Sequence, residues 1–416
     1  MGVYGGPNKV KGGIVFSLDG ANPASYAGDV DGATRSATAP AGTPYGYFGG
    51  GTKPPAYSTV DRVDYSNDTP TASTKGPLNV NRYGLAATGN TSYGWFGGGG
   101  GPAAERSSVD RIDYSNDTPT TSARGGFSIQ RYGVGATGNA SYGYFAGGYT
   151  PGTASSIDRI DYSDDTSTAL VKGPLTAVAV YKSATGNASY GYFATGSPSI
   201  NSSRVERVDY SNDTATAVEK GPLSSVRYWN AATGNSSYGY WGGDGPYAGS
   251  TLIDRVDYSN DTATALARGP LATKQSLNAA TGNTSYGYFG GGSGNSPGST
   301  ADISNVDRLD YSSDTSTAVA KGPLTQVKSI LAAASSQANS LGASTVYPWY
   351  DTSGKGNNAN ITDSRFRATD GGYFTFDGTG DYLTVPSTTD FAFGTGDFTV
   401  EYWVKTTSTP QGTDYG

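Results

Sequence analysis

The sequence predicts an all-β protein whose middle, residues 31–340, is a six-bladed β-propeller, and three observations carry that expectation. An acid-Arg-apolar-Asp-Tyr unit occurs six times, with its tyrosine at Tyr65, Tyr114, Tyr162, Tyr210, Tyr258 and Tyr311, at intervals of 48 or 49 residues and finally 53. Each copy follows a Tyr-Gly-aromatic-aromatic unit that begins at Tyr45, Tyr93, Tyr142, Tyr190, Tyr238 or Tyr286. The composition, 62 glycines and 32 tyrosines in 416 residues with only 15% charged, suits many short strands joined by tight turns.

One period, read through its second copy, gives four strands in order. Arg82 to Thr88 is the first, with small and apolar residues, and Gly89-Asn90 turns it into the aromatic strand Tyr93 to Gly97. A glycine-rich loop leads to Val109–Tyr114, and Ser115-Asn116-Asp117 turns that strand into a fourth, Thr118 to Ala123. A four-stranded sheet of this size cannot bury both faces alone, and six of them stacked round an axis can. First-strand segments number seven, because Ala33 to Thr38 and Ser329 to Ala334 both qualify. A ring is closed without an exposed edge when a strand from one end completes a blade begun at the other, and the more apolar C-terminal copy is the favoured one.

At Trp95-Phe96-Gly97-Gly98 and Phe289-Gly290-Gly291 the repeat resembles the double-glycine strand of the kelch family. Val109 to Asp113 with its Ser-Asn-Asp-Thr turn is similar to that family's third strand and hairpin, over about 300 residues in all. The fourth strands here carry no tryptophan.

Outside the repeat the pattern changes. Residues 1–12 read as an N-terminal arm, 13–30 as the first strand of a second domain, and 341–416 as its remainder. Alternating apolar strands between Gly/Asp/Asn turns argue there for an antiparallel sheet. Gly13 to Asp19, Asn22-Pro23-Ala24-Ser25-Tyr26, Trp349 to Asn358, Phe374 to Leu383 and Asp397 to Lys405 are similar, in that order, to the opening of concanavalin A-like and laminin G-like domains. The resemblance implies a jelly-roll β-sandwich into which the propeller is inserted, with strands still wanting after Trp403. Insertion at a surface loop suits a guest whose two ends lie together.

No histidine and no cysteine occur, which removes the commonest general base, thiol nucleophiles and the usual zinc ligands. A net charge of −7 disfavours nucleic acid and anionic membrane as partners, and no apolar run is long enough for a membrane helix or a secretory leader. The expectation is a non-enzymatic binding or structural module without cofactor, catalytic residue or metal.

Internal comparison places the variation. The Gly-Asn and Ser-Asn-Asp turns hardly change between copies, whereas the loops joining second and third strands differ in length, charge and aromatic content. In an antiparallel blade those loops emerge on the opposite face from the turns. Tyr57, Glu105, Arg106, Tyr149, Asn201, Tyr247 and Asp302 are therefore the expected exposed contacts of a partner, set against unconstrained drift of the loops.

Other motifs have plainer readings. Asp-Tyr-Ser-Asn-Asp-Thr lacks the ligand array and distal Glu of a calcium loop and reads as a hairpin turn. Sequons such as Asn67-Asp68-Thr69 and Asn139-Ala140-Ser141 follow from turn composition, and the Gly97 to Gly101 run has no phosphate-binding context. The repeated Asp110-Arg111-x-Asp113 charges are expected to pair between neighbouring strands and fix register. Acids are the one catalytic group in quantity, so a glycoside-cleaving pair is the enzymatic alternative, although a catalytic pair is normally unique in a ring.

A nearly identical His- and Cys-free array beside a laminin G-like domain, without a leader, resembles tailed-phage virion proteins such as tail fibres and decoration proteins. That resemblance implies a location in the virion, other virion proteins and host-surface glycan or protein as partners, and display as a homo-oligomer or assembled complex. A purely structural virion scaffold is the alternative.

Overall fold

The computed structural model describes residues 44–337, apart from 53–54, 102–103, 195, 197–201, 246–248 and 297–298, together with five short strands between 348 and 384. The chain divides into two compact units, Pro40–Ser344 and a second made of Met1–Ala39 with Thr345–Gly416.

The first unit holds six four-stranded antiparallel sheets. Blade 2 runs Ala86–Gly89, Tyr93–Gly97, Val109–Asp113 and Ser122–Arg124 in sheet order, and blades 3 to 6 repeat it with second strands Tyr142–Ala146, Tyr190–Ala194, Tyr238–Gly242 and Tyr286–Gly290. Blade 1 takes Tyr45–Gly49, Val60–Asp64 and Ser73–Lys75 from the start of the unit and Ala332–Ser335 from its end. The C-terminal copy therefore closes the ring, as expected, and the N-terminal copy at 33–38 lies outside the described residues. Ser336 fastens the seam from both sides, its N–H donating to the Tyr45 carbonyl and its hydroxyl accepting from the Tyr45 N–H, each at 3.0 Å.

The first strands of neighbouring blades pack on one another round the axis. Two strands differ from the sequence expectation. The first begins at Ala86 instead of Arg82, because Gly84 sits at φ +63° and Arg82 turns into the blade to meet Asp110. The fourth begins at Ser122 instead of Thr118, because Thr118 and Pro119 still belong to the turn.

Second strands are buried along almost their whole length, the pattern of a sheet covered on both faces. Six hydrophobic cores result, each shared by two blades: Tyr47, Val60 and Ala334 of blade 1 pack with Ala87, Phe96, Ile112 and Tyr114 of blade 2. The repeat tyrosine reaches across each junction. Tyr114 stacks on Tyr47, Tyr162 on Trp95, and Tyr65 on Tyr288 across the seam, with ring centroids 4.9, 3.9 and 4.7 Å apart.

A polar node repeats at the same junctions. The turn carboxylate Asp117 of blade 2 accepts the Tyr47 hydroxyl at 3.0 Å and the Arg62 guanidinium at 2.7 Å, with Lys75 at 3.4 Å. Asp213 and Asp261 do the same, Asp314 takes Arg268 in place of the lysine, Asp165 takes the Trp95 indole N–H and Arg124 in place of the hydroxyl and the lysine, and Asp68 closes the circuit with Tyr288, Arg308 and Lys321. Burial raises the Asp213 carboxyl, but the hydrogen bonds from Tyr144, Lys172 and Arg159 outweigh it and hold it below the usual carboxylate range.

These contacts correct the expectation that the repeated charges pair between neighbouring strands. Register sets Asp110 and Arg111 opposite Phe96 and Trp95 on one side and Ala123 and Ser122 on the other, so no charge faces them within the sheet. Arg111 instead lies over the Tyr93 ring at 4.1 Å and bonds Asp165 of the next blade, Asp113 caps its own turn by accepting from Ser115, and Asp110 pairs with Arg82.

Glycine is required where fourth strands approach the next blade's turn. Gly173 donates its N–H to the Asp213 carbonyl at 2.8 Å, and a Cβ there would lie 1.9 Å from the Ala215 carbonyl oxygen. Gly173→Ala is expected to cost about 1–3 kcal/mol by overpacking. A lowered urea midpoint would show it, and an unchanged one would mean that blades 3 and 4 are not in this contact.

The second unit contains a three-stranded antiparallel sheet, Pro348–Trp349, Ala359–Thr362 and Tyr382–Thr384, and a strand pair, Arg365–Arg367 with Tyr373–Thr375. The expected strands at 13–30 and 397–405, and most of 349–358, lie outside the described residues.

Candidate functional site

The links from each fourth strand to the next first strand share a face with the variable loops, and backbone hydrogen bonds latch the two together. The Tyr57 N–H donates to the Gly51 carbonyl and the Arg82 N–H to the Tyr57 carbonyl, at 2.8 and 3.0 Å. Arg106 occupies the same position one blade on, between Gly99 and Arg131. The latch uses main chain alone, which leaves the loop side chains free to vary.

Six link residues meet at the axis, all with positive φ: Gly84, Gly133, Tyr181, Trp229, Leu277 and Ile330. Five of the N–H groups reach the carbonyl of the preceding blade's residue: Gly84 to Ile330 at 2.9 Å, Gly133 to Gly84 and Tyr181 to Gly133 at 2.6 Å, Leu277 to Trp229 at 2.7 Å and Ile330 to Leu277 at 2.8 Å. Four of the six are not glycine. A side chain in the left-handed region costs about 1–2 kcal/mol, and such outliers cluster where a surface is put to use.

Around this ring lies an aromatic patch. Tyr132 is its centre, with ring centroids 6.5 Å from Tyr83, 5.5 Å from Tyr149 and 5.9 Å from Tyr181; Trp229 follows, 5.7 Å from Tyr181 and 5.1 Å from Tyr228. The planes are tilted by 51° to 89°, so the rings meet edge to face rather than stacking as they do inside the ring of blades. All are partly accessible, and Tyr149 is 36% exposed. Burial pushes the Tyr181 hydroxyl up, and burial followed by Tyr149, Tyr83 and Glu105 does the same for Tyr132, so both remain protonated donors. On the opposite half of the axis Ser276-Leu277 and Ser329-Ile330 stand where each of the other links carries at least one aromatic residue.

Of the sequence candidates, Tyr149 belongs to this patch and Glu105 acts on it through Tyr132. Tyr57 and Arg106 are half-buried in the latches, and Asp302 accepts the Ser293 hydroxyl at 2.9 Å within its own hairpin, Ser293–Ser296 with Ser299–Asp302. Asn201 and Tyr247 lie outside the described residues. Sequence reasoning missed Tyr83, Tyr132, Tyr181, Tyr228 and Trp229. Their signal was present, since the residues just before each first strand differ among copies, but it was absorbed into an overlong first strand.

The opposite face carries a shallow groove of about 380 Å³ between blades 4 and 5, lined by Asn187, Tyr190, Ser237, Tyr238, Asp257 and Tyr258. Every one of these belongs to the repeated turn pattern, so the groove follows from the scaffold.

A second constellation lies inside the blades. Third-strand acids meet a cation from the link: Arg82 with Asp110 at 3.0 Å, Arg131 with Asp158 at 2.8 Å, Arg227 with Asp254, and Lys328 with Asp61 at 3.0 Å, both partners essentially inaccessible. Blade 4 has Ala179 in the arginine position and supplies Lys182 three residues later to the longer acid Glu206, at 2.8 Å. Blade 6 has Gln275 and Asn278 at these two positions, and among the described residues Asp307 meets no cation. Its partner is Thr273, whose N–H donates at 2.7 Å. Burial lifts the Asp307 carboxyl to about 6.

Among the described residues no three acidic side chains come together as a metal-holding group, and no helix is long and apolar enough to cross a membrane. No protein-family model and no curated protein matches the chain.

Proposed function

We propose that this chain is a non-enzymatic recognition module, an adhesion component of a tailed-phage virion, that binds host-surface glycan or protein through the loop face of its propeller. The observation that carries the proposal is the division of the ring: turns and junction nodes repeat blade by blade, while loop diversity and the aromatic patch fall together on one face. Aromatic rings that keep a polar edge are the usual anchors of recognition surfaces. The second unit is proposed as the concanavalin A-like jelly roll that its sequence resembles, joining the module to other virion proteins.

The test is adhesion of the purified chain to host cells. Joint alanine substitution of Tyr57, Glu105, Arg106, Tyr149, Asn201, Tyr247 and Asp302 is expected to lower it at least tenfold, with folding checked by circular dichroism. Undiminished adhesion would overturn the proposal.

A scaffold role is favoured by one separate observation. Outer strands of blades 3 to 6 expose Leu170, Val218, Leu266 and Val319 by more than half, where blades 1 and 2 carry Ser73 and Ser122. Exposed apolar residues on edge strands suit packing against a neighbour. The alternative of a carbohydrate-active enzyme is disfavoured because the repeated acids are engaged in buried pairs or junction nodes.

A further inference from the structure

We infer that the axial aromatic patch is the ligand site, and that it holds one uncharged pyranose segment of a glycan per ring. This rests on the recognition role proposed above and gives it a location, a stoichiometry and a ligand chemistry.

Location fixes the stoichiometry. Loops and junctions occur six times, but the links converge on the axis once, so a ligand seated on Tyr132, Tyr181 and Trp229 has a single place to bind. The patch is also one-sided, because Leu277 and Ile330 stand where the other links carry aromatic rings or the tyrosine-flanked Gly84 and Gly133.

Chemistry narrows the ligand. Tilted tyrosine and tryptophan rings offer faces to the C–H side of a sugar and hydroxyls to its oxygens. Two carboxylates flank the patch: Glu105, whose backbone pairs with Gly100, itself paired with Tyr83, and Asp244, which accepts the Tyr228 N–H at 3.1 Å. Carboxylates accept hydrogen bonds in pairs, which suits the vicinal hydroxyls of a neutral sugar. A proline-rich segment, the other common occupant of an aromatic surface, brings carbonyl acceptors and few donors to meet them. An anionic glycan would need cations, yet Arg82, Arg131, Lys182, Arg227 and Lys328 are all held in buried ion pairs. Beyond these five, the loops and links carry Lys53, Arg106, Arg204, which meets the exposed Glu219 at 3.5 Å, and Lys274.

The experiment is calorimetry and tryptophan fluorescence on the full chain with neutral gluco-, galacto- and N-acetylglucosamine oligosaccharides, polygalacturonate fragments and a polyproline peptide. Expected are one site per chain, a preference of at least tenfold for a neutral sugar over polygalacturonate, and a fluorescence change that Trp229→Phe removes, since Trp95 and Trp241 are buried and Trp349 and Trp403 belong to the second unit. Tyr132→Ala should weaken binding at least tenfold, whereas Asn187→Ala on the opposite face should not. About six sites per chain, a signal that survives Trp229→Phe, or preference for polygalacturonate or polyproline would overturn the inference. Adhesion to cells without binding of any oligosaccharide would sink this inference and leave the recognition role standing; loss of both would sink both. Circular dichroism of each variant separates lost binding from lost fold.

Discussion

Asp307→Asn is expected to stabilise the propeller by about 3 kcal/mol above pH 7 and to change little near pH 3. The carboxyl titrates at about 6 inside the fold against the ordinary aspartate value of 3.8, and burial is the leading cause. The folded state therefore binds this proton more tightly than the unfolded state does. Stability falls as pH rises from about 4 to 6 and stays lower above that window, by about 1.4 kcal/mol for each unit of the shift. The nearest cations in sequence do not help, since Arg308 and Lys321 are both held by Asp68. Denaturant midpoints of the protein and the variant between pH 3 and 8 should meet at the acid end and diverge through the window. The comparison cancels the acids whose carboxyls are lowered, such as Asp213 and Glu206, because both proteins contain them. Gln275→Arg should remove the same loss, since blade 5 accommodates Arg227 beside Asn230 in the equivalent positions. Parallel midpoints at every pH would show that Asp307 has a counter-charge after all.

The architecture was legible because the repeat states it six times. Tyr93 to Gly97 and Val109 to Tyr114 carry their own spacing and aromatic pattern, and both appear as strands within a residue of the reading. The closing strand was legible too, through a seventh first-strand segment whose apolar run Ile330 to Ala334 suits the axis. What could not be read is what lies between blades. Asp117 looks like any turn residue until blade 1 delivers Tyr47, Arg62 and Lys75 to it, and the three are 70, 55 and 42 residues away in the chain. The site was hidden for a related reason. Tyr132 and Tyr181 are ordinary tyrosines among 32, and only closure of the ring brings the links together at its axis. Loop variability pointed to the face that carries the aromatic patch and to Tyr149, but side-chain diversity there also reflects latches that need no particular side chain.

Asp158→Ala is expected to cost about 3–5 kcal/mol. Arg131 and Asp158 are both inaccessible, and the guanidinium also donates to the Phe145, Gly147 and Ser156 carbonyls at 3.1, 3.0 and 2.9 Å. Removing the carboxylate strands a positive charge among these dipoles with no counter-ion. Arg131→Met strands the acid instead, and so should give blade 3 the pH window that blade 6 already has. Replacing both, as Arg131→Met with Asp158→Leu, is expected to cost far less than the sum, because the charge and its desolvation disappear together. A sum of single losses would show that the two side chains act independently. Blade 6 shows that the ring forms without the pair, so the pair does more than hold a sheet together. Arg82, Arg131 and Arg227 are each followed by a patch tyrosine, Tyr83, Tyr132 and Tyr228, and each guanidinium anchors the link that carries that ring to the axis. Asp158→Ala should therefore weaken ligand binding even at temperatures where the protein stays folded, whereas a loss of stability with unchanged affinity would confine the pair to a structural role.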